Sequence, residues 1–527
     1  MSATAAYAEY RFGPTEQPLF PGSPYSPAHH PWRKVAYIAV ALLVGLSAAL
    51  GNALVTVNLT NIAGSLGVTV AQATWLSSMY VAFNASANLL LVRARMQYGI
   101  PRVTHALLIA YAATTVLQLA APSFGTALLV RAASGTVATG LTTMTIYNLL
   151  QIFPPKKRPM ALLLGISITQ FSVPLARMFP VTLLVVGQWQ GLHLFELGLT
   201  LAVSAALWAV PLLPSICGKA FEPLDFLTFA LVLPGMILLC GALGAGRYVW
   251  WTDTAWVGIA LAVATMLLAT AFAIEHNRAR PLLQMSWITS RDIARLAIIA
   301  LLVRFALAEQ TYGAVGLLTA GGLNNDQLHL LFACVMVAMI LGTATAALTL
   351  SIGGIPWQVM AAAVIIGIGA LIDTSSTNLT RPAQLYLSQS LLGFGTCLFI
   401  GPALLFGFIR VIQLGPNYLV SFLVVFSASQ NIGGLLGSAL LGTYQVMRTR
   451  AHAGALSEHL LASDPQVMAR LTQQGGAGLY AALQREAAVL AFNDVFGAVA
   501  ALSFAIALYL IFRIMRLRYL QRQGSTQ

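Results

Sequence analysis

Charge is what this 527-residue sequence has least of: Asp, Glu, Lys and Arg together make up 8% of it, and only 15 residues are acidic. Soluble domains carry about 25% charged residues, so a chain this poor in charge cannot cover a water-facing surface. Cysteine is as scarce. Cys217, Cys240, Cys334 and Cys397 stand apart, three of them inside apolar runs, with no CxxC or Cys/His cluster. That pattern argues against a disulfide scaffold and a zinc site. HExxH, GxSxG, a Gly-rich phosphate loop and paired acids at catalytic spacing are all missing, so neither enzyme chemistry nor a cofactor is expected. No metal site is expected either, because His452 and His459 are two lone histidines on a solvated stretch. Strand alternation, heptad arrays and filter-like ring motifs are absent too.

What is present is apolar: 58% of the residues, with a mean hydropathy of +0.79. Runs long enough to cross a bilayer recur throughout, which makes this an all-α polytopic membrane protein. A window of about 19 residues picks out fourteen runs, the first over 35–57 and the last over 490–512. Residues 1–34 are polar and rich in Pro, Tyr and His, unlike a cleavable signal, and they read as a tail before an uncleaved anchor. Of the 28 Lys and Arg, nineteen fall on one side if the chain starts in the cytoplasm. The positive-inside rule therefore puts both termini in the cytoplasm. The net charge of +13 reports this topology rather than a nucleic-acid partner. The partners expected are the bilayer and a small molecule.

Two segments outside the runs stand out. Residues 448–489 form the longest outer loop and read as amphipathic helix, with Asp464 as N-cap and Pro465 at the first helical position. Residues 275–296, on the cytoplasmic side, read as a hinge between halves. Trp75, Trp250, Trp251, Trp256 and Trp287 lie near run ends and read as interface anchors.

Several stretches resemble the major facilitator superfamily, in its fourteen-helix multidrug-efflux (EmrB/QacA-type) branch. They are 55–82 at the first and second helices, RAASG at 131–135, FPPKKRPMAL at 153–162, NIGGLLGSALLGT at 431–443 and AAVLAFNDVF at 487–496. The resemblance covers nearly all of 35–515. It implies a 6+2+6 arrangement: a tail (1–34), a six-helix bundle (35–214), a two-helix insert with linkers (215–296), a second six-helix bundle (297–512) and a tail (513–527). It also implies a multi-pass protein of the cell (inner) membrane, an antiporter whose coupling ion is the proton. Its expected function is efflux of the kind that confers multidrug resistance, and some relatives take a periplasmic accessory protein. The family's helix-1 acid is replaced here by Gly51 or Asn52, and the loop at 90–102 keeps only Gly99 and basic residues of the gating signature.

Charges inside the runs carry most of the functional information, because each costs about 2.5–3.5 kcal/mol at the bilayer centre on insertion scales. Glu309 is the candidate proton carrier. Arg131 joins it as the residue matching the helix-4 Arg that the family places near proton coupling. Arg177, Arg304, Asn58, Asn84 and Asn88 are substrate-cavity candidates, the asparagines serving equally well as glue between helices. Arg304 and Glu309 are five apart, too far round a helix to pair, so each needs its own partner. Glu196 and Asp373 lie near run ends, where snorkelling to water is expected. Three intramembrane arginines and few acids favour a neutral or anionic amphipathic substrate. Export leads; an organic-anion importer or facilitator, and a sensory member without flux, share these features. Gly433 and Gly437, Gly434 and Ser438, and Ser438 and Gly442 are each four apart, and this small-residue stripe is read as close helix packing.

Overall fold

The computed structural model describes residues 13, 16–18, 22–351, 353–415, 418–461 and 463–524. Among these the chain is helical apart from one isolated bridge between Pro24 and Ser215. Helices stand at all fourteen apolar runs. The first eight are α1 (Pro31–Val57), α2 (Val70–Tyr98), α3 (Ile100–Ala120), α4 (Phe124–Leu150), α5 (Arg158–Gln170, resumed over Ser172–Met178), α6 (Val186–Ala209), α7 (Pro223–Val249) and α8 (Ala255–His276). The last six are α9 (Arg291–Ala306), α10 (His329–Leu348), α11 (Ile355–Asp373), α12 (Tyr386–Leu414), α13 (Leu419–Glu458) and α14 (Pro465–Gly524).

Twelve helices among the described residues are long and apolar enough to cross a membrane; α4 and α9 are not among them. The reason is visible in each. α4 is rich in threonine, whose hydroxyls turn back onto carbonyls one turn earlier, as Thr136 does on Ala132 and Thr145 on Leu141. Those bonds satisfy the polar groups without making the helix apolar. α9 ends at Ala306, and a π-helical turn over Glu309–Ala314 leads into a last short helix, Val315–Ala320.

The chain divides into two compact units. Unit 1 is Met1–Ala300 with Thr343–Ile355 and Ile400–Ile432; unit 2 is Leu301–Gly342, Pro356–Phe399 and Gly433–Gln527. In unit 1, α4 is the central helix and packs against α1, α2, α3 and α5. Gly135 makes this possible, since a Cβ there would run into the Tyr80 carbonyl of α2. The α7–α8 pair docks on the same α2. The Ser78 hydroxyl donates to the Cys240 carbonyl at 2.9 Å, and the Trp75 ring lies over Gly241. A glycine opposite gives Trp75 a slot between helices, and Trp287 is buried against Tyr418.

The first part of the 275–296 segment is held within unit 1. Arg278 donates to Glu222 at 2.8 Å, Asp225 at 2.7 Å and Glu275 at 3.0 Å, while Glu275 accepts from the amides of Leu282 and Leu283. The hydrogen bond from Arg278 keeps the Glu222 carboxyl below the usual range.

In unit 2 the glycine stripe packs as expected. A Cβ at Gly433 would lie 2.8 Å from the Leu301 carbonyl oxygen, and one at Gly437 2.7 Å from that of Phe305. The stripe of α13 therefore meets α9 backbone to backbone. α13 is 40 residues long, about 60 Å at 1.5 Å per residue, twice a hydrocarbon core of about 30 Å. So the expected outer loop is mostly helix, and only 459–464 lies between α13 and α14. Asp464 caps α14 by accepting from the Gln466 amide at 2.8 Å, and the helix breaks once, at Gly475.

Candidate functional site

Unit 1 buries an ion pair. Arg131, fully inside α4, donates from one terminal nitrogen to both oxygens of Glu196 on α6, at 2.5 and 2.6 Å. His193, one turn before Glu196, lies 3.2 Å from the same carboxylate. Glu196 does not snorkel: it is 2% exposed. The reason is Gly51. A Cβ on Gly51 would lie 2.7 Å from Glu196 Oε1, so the missing side chain leaves the space that Glu196 fills from a different helix. The second terminal nitrogen of Arg131 has no hydrogen-bond partner among the described residues.

Of the other unit 1 candidates, Asn84 is best placed. Its amide donates to the Gly135 carbonyl at 3.2 Å, and its oxygen accepts from Asn431 of α13 at 2.9 Å. Thr139 donates to the Asn84 carbonyl. Asn84 thus joins α2, α4 and α13. Asn58 turns its amide onto the Leu54 carbonyl at 2.9 Å, closing the end of α1. Asn88 and Arg177 are buried on α2 and on the second part of α5.

Unit 2 holds a different arrangement. Glu309 is fully buried at the start of the π-helical turn. Gln389 of α12 donates from its one amide nitrogen to Glu309 at 3.1 Å and to Asp373 of α11 at 2.8 Å. A second oxygen on each acid, Glu309 Oε2 and Asp373 Oδ1, has no hydrogen-bond partner among the described residues. Asp373, expected to snorkel, is 1% exposed; its bond to Gln389 draws it in. Gln310 donates to the Gln389 carbonyl at 3.0 Å and fixes α12 against the turn. Arg304 faces the other way, its guanidinium stem over Gly433 and Gly434. Glu309 and Arg304 therefore do not pair.

Sequence reasoning found Arg131 and Glu309 because a charge inside an apolar run is conspicuous. It missed what they touch. Glu196, Asp373 and Gln389 lie 65, 64 and 80 positions away from those residues, and no local spacing encodes such contacts. The remaining signal was intramembrane acidity itself, which singled out Glu196 and Asp373 without a role.

No family model matches the sequence, and no curated protein is detectably similar to it. Solved structures are similar in fold. The human organic anion transporter MFSD10 (TETRAN) aligns over 90% of this chain and 100% of its own, with a TM-score of 0.54 and 13% identity. The POT family transporter PepTSo aligns over 92% of this chain and 99% of its own, with a TM-score of 0.52 and 14% identity. The proton:xylose symporter XylE, solved with 6-bromo-6-deoxy-D-glucose, gives 91% and 97%, a TM-score of 0.51 and 12% identity. Identities this low speak for the fold alone. Together with the helices long and apolar enough to span a bilayer, they identify this chain as an all-helical membrane protein with the major facilitator fold.

Proposed function

We propose that this protein is a secondary transporter that exports a small amphipathic organic compound, neutral or anionic, across the cell's inner membrane, with protons as the coupling ion. Fourteen spans in a 6+2+6 order, both termini in the cytoplasm, complete the reading. The export direction rests on the resemblance of 153–162 and 431–443 to the efflux branch. The substrate class rests on Arg131, Arg177 and Arg304 within the helices, and a fold shared with an organic anion transporter agrees with it.

The observation that carries the coupling is the Glu309 site. A buried carboxyl that faces another acid and one neutral amide, with no cation bonded to it among the described residues, is suited to take up and release a proton. Arg131 cannot do this alone, since its guanidinium keeps its charge at all working pH values; its part is to hold Glu196. Alternating access then follows as rocking of helix bundles about a midplane site.

Accumulation of matched amphipathic anions and cations in cells lacking their own efflux pumps tests the reading. Expression should lower accumulation of the anions, and both a protonophore and Glu309→Gln should abolish the effect. Preference for the cation refutes the substrate class. Export that survives both protonophore and mutation refutes the coupling.

A further inference from the structure

The last turn of α2 carries a cation that neither the ion pair nor the acid pair uses. Arg95 is 4% exposed, and its Nε donates to the Leu91 carbonyl at 3.1 Å. Its Nη1 is buried without a hydrogen-bond partner among the described residues. Other cations nearby are engaged: Arg93 donates to the Ala220 carbonyl at 2.6 Å, and Arg158 to that of Ser26. Leaving a guanidinium buried and unneutralised is costly, so a built-in Arg without a counter-charge among the described residues points to an anion supplied from outside.

The space for one is there. Arg95 lines a cavity of about 30 Å³, walled by Val92, Thr143, Tyr147, Phe408 and Leu419, enough for one small polar group. Phe408 and Leu419 also wall a second cavity of about 490 Å³, with Met96, Val411, Cys217 and Lys219 around it. Small-molecule sites run from about 300 to 1,000 Å³. Among the described residues no Asp or Glu lines either cavity. Both lie within unit 1.

We propose that these adjoining cavities form a binding site for an oxyanion carried on an apolar body. The oxyanion is held by Arg95, the body rests on Phe408 and Leu419, and Lys219 draws the ligand to the mouth. Carboxylates, sulfonates and the phosphates of anionic lipids share this chemistry. The site concerns binding and stands apart from the coupling reading, so loss of transport in a Glu309 variant leaves it untouched.

Cys217 gives a native reporter: it is exposed and lines the larger cavity, whereas Cys240 and Cys397 are buried. The full-length protein is placed in phosphatidylcholine nanodiscs, and alkylation of Cys217 by N-ethylmaleimide is followed by mass spectrometry. One arm adds 2-naphthoate, a second its neutral amide, and a third replaces part of the lipid with phosphatidylglycerol. Slowing by naphthoate but not by the amide supports the site with a soluble ligand. Slowing by phosphatidylglycerol supports it with a lipid headgroup. Arg95→Gln should remove the protection, and Lys219→Glu, on an exposed residue that cannot unfold the bundle, should weaken it by about two- to fivefold, as for a rim charge. Equal protection by the amide, protection unchanged in Lys219→Glu, or no protection in any arm overturns the proposal.

Discussion

The two buried acidic centres solve one electrostatic problem in opposite ways. In unit 1, Glu196 gives both oxygens to Arg131, and the charges cancel. In unit 2, Glu309 and Asp373 share one neutral amide and retain an unbonded oxygen each. A compensated carboxylate is locked by its partner, because moving it strands a guanidinium in the membrane. A carboxyl facing another acid is not locked, and a proton can settle or leave without stranding an opposite charge. Burial alone therefore does not mark a proton carrier; the nature of the partner does.

The largest expected effect comes from breaking the compensated pair. Glu196→Gln leaves Arg131 buried and unpaired, at a cost of about 3–5 kcal/mol, read as a lower melting temperature in detergent. The double variant Arg131→Gln/Glu196→Gln should recover part of that loss. Glu309→Gln, by contrast, should keep the melting temperature within a few degrees and remove proton-dependent export. Equal destabilisation by Glu196→Gln and Glu309→Gln would erase the distinction between the centres.

Next in size is the packing that holds each centre in place. Gly135→Val pushes against the α2 backbone beside Arg131, and Gly437→Val against the α9 backbone shortly before Glu309. Overpacking of this kind costs about 1–3 kcal/mol. Thermal melting should show both losses, with Gly135→Val the larger, since a Cβ there would lie closer to the Tyr80 carbonyl oxygen than the 2.7 Å between one at Gly437 and that of Phe305. A smaller effect is expected from Gln389→Leu, which strips the shared donor from both acids at about 1–2 kcal/mol. It should also shift the pH dependence of export, a change that a purely structural glutamine would not produce.

Much of this architecture was legible in the sequence because bilayer thickness and hydropathy act locally. A run of apolar residues declares its helix wherever its neighbours lie, and a helix stands at each run, although the ninth breaks after Ala306. Asp464 and Pro465 were readable for the same reason, since a cap involves only adjacent residues. Glu196 was not, because its burial depends on a glycine 145 positions earlier that leaves room for it. The slot of Trp75 was hidden on similar grounds, being cut by Gly241 on a distant helix. The amphipathic helix at 448–489 was readable on local grounds, whereas its continuity with the flanking helices was not. Contacts between distant helices are set by which side chain is missing as much as by which is present, and only the fold reveals the gap.

Arg278 offers the comparison outside the membrane spans, where solvent weakens what burial enforces at Arg131. Its guanidinium is almost wholly covered, yet Glu222, one of its three partners, is about a third exposed. Arg278 holds the Glu222 carboxyl below the usual range, so this bond stabilises the fold above the ordinary Glu value of about 4.3 and fades as the pH falls through the lower folded value. Wild type should therefore melt above Glu222→Gln by a constant margin from neutral pH down to about 5, and the two curves should converge only in stronger acid. The margin itself should be small beside that of Glu196→Gln, because water screens Glu222 and nothing screens Glu196. Convergence already near neutral pH would mean that Arg278 leans on Asp225 and Glu275 alone. A margin as large as that of Glu196→Gln would mean that pairing with arginine, and not burial, sets the cost in both places.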